Sequence, residues 1–429
     1  MGSDQRNDGK NGVAKMRNFD YIKDFEKLGF GMFVHFGLYS VEGYGEWGYG
    51  INKPDNYYGL IERFNVKKDW AKELVATAKN AGCKYINITT RHHDGFSLYD
   101  TCGLSDFDVM HSATGRDLMK EFVGECNAQG LVPFFYHTCF DWHYQAGYMK
   151  KIGKIEIENQ EEYETFFKES NYFDYWLKSI ELLCTRYGKI GGFWFDGIWS
   201  CPNANWPLDE LYAMIRKYQP EAMIINNTGL SELGKVGHYE IDSVTFERGK
   251  PCFVDNSDRP RAGEMCQTLN DHWGYAKEDI NYKPVKELVE NLIDCRKFGC
   301  NFLMNTGPMG DGSLQTMDKA IFENVGRWVK ANKNFIYDIK PSNIKATNAE
   351  IVKGDGCYYA LIKDVPMSAD PNVQRLQETG HVRVEAKILS AEWLDNGEKI
   401  EVENDSFKVK PFKYSRSYSV RVAKLVIEE

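Results

Sequence analysis

Short apolar runs alternate with helix-forming stretches from residue 30 to about residue 340, and few architectures accommodate that alternation. The runs fall at 30–36, 85–90, 132–137, 192–196, 223–226, 243–247 and 302–305. Each is nearly continuous in apolar character, as expected of a strand buried on both faces. Helical patterns separate them, at 69–82, 116–130, 160–188, 207–219 and 284–299, with another at 316–337. Several end in glycine, which tolerates the left-handed turn that closes a helix. Strand followed by helix, many times over, predicts a parallel sheet. An eighth strand is expected near 263–268. Eight would close a (β/α)8 barrel; a doubly wound open sheet is the competing arrangement.

Beyond residue 340 the rhythm changes. Short strand patterns at 357–362, 382–388, 391–394, 407–409 and 418–426 predict a small antiparallel β-sandwich. The chain is thus expected in three parts: a flexible tail at 1–14, a catalytic barrel at 15–340 and the sandwich at 341–429. A length of 429 residues suits one barrel and a smaller module.

Composition removes several functional classes. A net charge of −9 argues against a nucleic-acid partner, which requires a basic footprint. No run of about 18 apolar residues predicts a membrane span. The first residues, MGSDQRNDGKNG, are polar and contain no signal-like apolar core, so a cytoplasmic location is expected. Eleven cysteines, an odd number without a C-x-x-C pair, read as free thiols. The 25 Tyr, 25 Phe and 10 Trp are compatible with a sugar site, or simply with a large aromatic core.

Polar residues gather where the apolar runs end, which in a parallel barrel is where active sites form. His35 closes the first run, and Arg91-His92-His93-Asp94 follows the second. His137 and Asp141 follow the third, Asp196 ends the fourth, Glu247-Arg248 close a later one and Asn305 ends the last. Buried polar groups need partners, so this recurrence is poorly explained as core filling. Asp196, after Phe193-Trp194-Phe195, fits a glycosidase nucleophile; an Asp capping the next loop is the plainer alternative. His92 and His93 suit hydrogen bonds to sugar hydroxyls, or a surface turn. Adjacent strand residues point to opposite faces, which weakens a metal reading. Gly43-x-Gly45-x-x-Gly48 matches a dinucleotide fingerprint, but no helical pattern is expected after it. It reads instead as a loop presenting Glu46 and Trp47 to a ligand.

Read together, these segments resemble family 29 of the glycoside hydrolases, the retaining α-L-fucosidases. The resemblance covers about residues 25–335. FGMFVHFGLYS, from Phe30, is similar to the family's opening strand, and Glu46-Trp47 to its Glu-Trp pair. AGCKY through Arg91-His92-His93-Asp94-Gly95-Phe96 resembles its double-histidine segment. FWFDG around Asp196 resembles the nucleophile strand, and NFLMNTGPMGDG, from Asn301, the last barrel strand and loop.

The resemblance implies a (β/α)8-like barrel with a C-terminal antiparallel β-sandwich, acting on glycans that carry terminal α-L-fucose, without metal or organic cofactor. By the same resemblance Asp196 is the nucleophile, and His35, Glu46, Trp47, His92, His93, His137, Arg248 and Trp273 bind substrate. Glu264 is expected as acid/base, because Gly263-Glu264-Met265-Cys266 with Trp273-Gly274-Tyr275 is similar to a Trp-Glu-x-Cys…Trp-Gly-Tyr stretch of one branch. The tryptophan before the glutamate is replaced here by Gly263. Glu247 is the next candidate, with Glu240 and Asp242 behind it. Rival readings are a barrel glycosidase for a related sugar such as an α-L-galactoside, a metal-dependent hydrolase using His35, His92 and Asp196, and a sugar-binding protein without catalysis.

Overall fold

The structure is a computed structural model that describes residues 18–428 except 53, 158, 366 and 368–379. Eight parallel strands close a barrel: β1 (Phe30–Val34), β2 (Tyr85–Arg91), β3 (Val132–Thr138), β4 (Gly192–Asp196), β5 (Met223–Asn226), β6 (Ser243–Thr245), β7 (Ala262–Gln267) and β8 (Asn301–Thr306). β8 pairs with β1, Phe33 opposite Asn305, so the sheet has no edge. The eighth strand falls where the sequence expected it, and closure excludes the open sheet. The tail expected at 1–14 lies outside the described residues.

Both faces of each strand are buried, which is why the runs read as continuous. On the outer face Met32, Val34, Ile86, Ile88, Phe135, Phe193 and Phe195 pack in the main core under the helices. On the inner face Phe33, Tyr85, Phe134, Tyr136, Trp194, Met223, Ile225 and Leu303 fill the lumen. Side chains two residues apart share a face, so this parity fixes which polar residues can reach the barrel mouth. Phe33 leads to His35, Tyr136 to Thr138, Trp194 to Asp196, Ile225 to Asn227 and Leu303 to Asn305.

Gly31 is where the lumen requires a missing side chain. A Cβ there would lie 2.5 Å from the Tyr85 ring. Tyr85 occupies that space and reaches across to Glu264. The helix Asp20–Leu28 closes the floor with Ile22 and Phe25.

Two helical expectations change. The pattern at 160–188 is two helices, Gln160–Glu169 and Tyr172–Arg186, broken at Asn171, whose φ is +57°. A short helix, Gly48–Asn52, follows the glycine loop where none was expected. That loop nonetheless runs along the barrel mouth, with Gly45 N–H donating to Tyr275 O.

After the helix Thr316–Ala331 the chain forms two antiparallel sheets, of six and four strands, around a separate apolar core that includes Trp393, Phe407, Val422's neighbour Ala423, and Leu425. The six-stranded sheet packs on the barrel through Trp328, whose Nε1 donates to Val420 O at 2.9 Å.

Candidate active site

At the C-terminal ends of the strands lies a cavity of about 530 Å³. Its walls include His35, Glu46, Trp47, His92, Tyr136, Trp194, Asp196, Asn227, Glu247, Arg248 and Trp273. A larger cavity of about 950 Å³ opens at the opposite end, beneath the helix Asp20–Leu28. The first lies at the C-terminal ends of the strands, where a parallel barrel gathers its active site. Glu240 and Asp242 sit at the other end, tied to Arg216, and Asp242 also to Arg259.

Asp196 stands at the tip of β4. Tyr136 Oη donates to its Oδ2 at 3.0 Å, Trp199 Nε1 to its Oδ1 at 2.8 Å, and Asn227 Nδ2 to the same Oδ1 at 3.1 Å. Three donors match an acceptor-only carboxylate and fix its direction. Trp199 reaches back because Gly197, at φ +106°, turns the chain sharply after β4. His93 Nε2 lies 3.6 Å from Oδ2, and its Nδ1 pairs with Thr138 Oγ1 at 2.6 Å.

Glu247 extends past β6, two residues beyond Thr245, and therefore faces inward. Asn227 Nδ2 donates to its Oε2 at 2.6 Å. The amide thus bridges two carboxylates, and its two contacts limit their nearest oxygens to a separation of under about 6 Å. Burial, with Asp196 adding repulsion, pushes the Glu247 carboxyl up to about 7. The Asn227 bond and Arg248 oppose that shift only in part.

The remaining walls hold further donors and acceptors in set directions. Asn305 Nδ2 donates to Trp273 O at 2.7 Å, which turns its Oδ1 toward His35 Nδ1, 2.7 Å away. His35 therefore carries its proton on Nδ1 and presents a bare Nε2. Burial lowers its pKa to about 3, so it stays neutral. Burial also depresses His92 and His93. Glu46 Oε2 accepts the backbone N–H groups of Trp273 and Gly274, at 3.1 and 2.8 Å, locking the Trp273 loop against the mouth. Arg248, at φ +50°, lies 5.1 Å over the Trp273 ring and donates to Asp271 O.

Two sequence expectations need correction. Glu264 is not at the cavity. It sits in β7 opposite Thr245, one inward layer below Glu247, and is buried. Its oxygens accept from Tyr85 Oη at 2.5 Å and Trp194 Nε1 at 3.0 Å. Desolvation pushes its carboxyl up to about 7 as well, yet it supports the Trp194 floor and does not line the cavity. His137 is likewise absent from the walls. Its parity points it outward, where Nε2 accepts from Arg91 Nη2 at 2.9 Å and Nδ1 pairs with Thr90 Oγ1 at 2.8 Å. Its neighbour Tyr136 takes the inward position.

Sequence reasoning missed Tyr136, Trp199 and Asn227 as contacts of Asp196. Tyr136 and Asn227 were recoverable from strand parity; Trp199 depends on the turn at Gly197 and had no local signal. His35, His92 and Asp196 do approach one cavity. Among the described residues, however, no three His, Cys, Asp or Glu side chains converge as a metal-ligand set. No helix among them is long and apolar enough to cross a membrane.

Comparison with known proteins agrees with this geometry. The family model described as Alpha-L-fucosidase matches residues 5–334. Tissue alpha-L-fucosidase of Rattus norvegicus is 23% identical over 84% of this chain and 80% of its own length. Alpha-L-fucosidase isoenzyme 1 from Paenibacillus thiaminolyticus superposes with a TM-score of 0.79 at 27% identity, over 95% of this chain and 99% of that one. An alpha-L-fucosidase from Bacteroides thetaiotaomicron, solved as a trapped covalent intermediate, has the same fold, with a TM-score of 0.77 at 23% identity over 96% and 97% of the two chains. On the match of the family model to most of its length, this chain belongs to the alpha-L-fucosidase family.

Proposed function

We propose that the protein removes terminal α-L-fucose from glycans with retention of configuration, Asp196 serving as nucleophile and Glu247 as acid/base. The single observation that carries this reading is the Asn227 amide, which holds both carboxylates at once. Its short reach suits a retaining pair, about 5–5.5 Å apart, rather than an inverting pair at about 6.5–9.5 Å. Membership of the alpha-L-fucosidase family supports the choice of sugar, and the covalent intermediate trapped in the Bacteroides thetaiotaomicron protein is the species such a mechanism requires.

In the first step an Asp196 oxygen attacks the anomeric carbon. The bond from that carbon to the leaving oxygen breaks, and Glu247 gives its proton to that oxygen. The Glu247 carboxylate then takes a proton from water. The water oxygen attacks the same carbon, the Asp196 ester breaks, and fucose leaves with Asp196 ionised again. Two inversions give retention. His35 Nε2 accepts from a ring hydroxyl, His92 borders the others, His93 backs Asp196 rather than lining the cavity, and Trp47, Trp194 and Trp273 cover the apolar face and the C5 methyl. Such preset groups cost no reorganisation as charge develops on the sugar.

The test is hydrolysis of a panel of aryl glycosides with the first-formed anomer followed by NMR. We expect the α-L-fucoside to be preferred over the α-L-galactoside and α-L-fucose to appear before mutarotation. Release of the β anomer first would overturn the mechanism.

A pH profile follows from the raised Glu247 carboxyl. The step needs its protonated form, so kcat/KM for substrates with poor leaving groups should fall as pH rises through about 7. A rate flat from pH 6 to 9 on such a substrate would remove Glu247 from the role.

A further inference from the structure

A third cavity, of about 680 Å³, adjoins the catalytic one across Trp47, which lines both. We propose that it is a further saccharide-binding site, taking another sugar ring of the same fucosylated glycan. The proposal rests on the fucosidase reading for the link to substrate, but on its own residues for the sugar.

Its walls are aromatic: Tyr49, Tyr58, Trp142 and Tyr163 stand around the space beside Trp47. Trp47 and Trp142 meet edge to face with centroids 5.4 Å apart, and Trp142 also lies 5.9 Å from Tyr49. Asn56, Gln145 and Glu156 bring polar side chains to this wall, and of these Gln145 is buried. Gln145 is 6% exposed, and its Nε2 has no hydrogen-bond partner among the described residues. It belongs to the helix Trp142–Lys151, whose N-terminus is fixed by the Asp141 carboxylate accepting from Tyr144 N at 2.7 Å. Asp141 is held in turn by Tyr175 Oη at 3.1 Å and faces Arg91. The helix that carries the amide is thus fixed at its start, and a buried amide nitrogen without a partner is costly unless something binds it.

The occupant is specified by these features together. A pyranose has an apolar C–H face for the rings and hydroxyl oxygens for the Gln145 amide. A purely hydrocarbon ligand would leave the amide unmatched. Among the described residues the acidic or basic side chain on this wall is Glu156, which does not favour an anion. Because Trp47 separates the two cavities, a glycan that fills both gains the second contact at high effective concentration.

Gln145→Leu and Ala146→Trp test this, the first removing the amide and the second filling the space. Neither residue lines the catalytic cavity. Relative to wild type, kcat/KM on a fucosyllactose trisaccharide should fall about tenfold, mostly in KM, with an aryl α-L-fucoside unchanged within about twofold. Equal losses on both substrates, or no loss on either, would overturn the proposal. Should the wild type cleave no fucoside, the fucosidase reading fails alone, and titration with lactose followed by tryptophan fluorescence decides this site. Saturable quenching abolished by Ala146→Trp sustains it; absence of quenching in the wild type refutes it.

Discussion

Asp196→Gly should lower kcat on aryl α-L-fucosides by at least about 10⁴-fold, equivalent to roughly 5.5 kcal/mol of transition-state stabilisation, while the fold survives. The side chain is at a strand tip and contributes nothing to the lumen core, so circular dichroism and melting temperature should stay close to wild type. Removing it empties a small space on which three donors still converge, from Tyr136, Trp199 and Asn227. Azide is small and anionic, and it can occupy that space and attack the anomeric carbon from the same side. Added azide should restore turnover of a substrate with a good leaving group and yield the inverted β-L-fucosyl azide. Residual activity above about one per cent, or no azide product, would point to a different nucleophile.

Glu247→Ala should act on the other half of the reaction. Substrates with a poor leaving group need the proton and should lose about 10²–10⁴-fold in kcat/KM. An activated aryl fucoside needs little proton donation, so its first step should survive while the second slows. A burst of phenol followed by a slow steady state is the expected trace. Azide needs no base, and here it should release the fucosyl enzyme as the retained α-L-fucosyl azide. The opposite configurations of the two azide products assign the two carboxylates independently. Glu264→Gln supplies the contrast. Both glutamates are pushed up to about 7 by burial, so a shifted titration alone does not separate them. Gln at 264 should keep the basic limb of the pH profile; loss of that limb in this variant, and its persistence in Glu247→Ala, would reverse the assignment.

The histidine and carboxylate positions divide by whether strand parity was enough. His35 and Asp196 were readable because each continues an apolar run and shares its inward face. His137 was misread for want of the same argument: it is one residue from Tyr136, and one residue is the difference between lumen and helix packing. The error at Glu264 is different in kind. Its face is correctly inward, but its depth depends on the register of β7 against β6, where Glu264 lies level with Thr245 rather than Glu247. Register is a relation between strands, and no spacing within one segment reports it.

The amino-acid order by itself determined the barrel strands and most of the helices between them, the parallel sheet, the sandwich beyond it and the end of the barrel where polar groups collect, because burial on two faces and helical periodicity are local patterns. Tertiary structure alone decided closure through β8 and β1, the pairing of Asp196 with Glu247 through Asn227, and the aromatic cavity behind Trp47. These depend on distances between segments tens of residues apart, and such distances are set by packing and strand stagger, not by any stretch of sequence read alone.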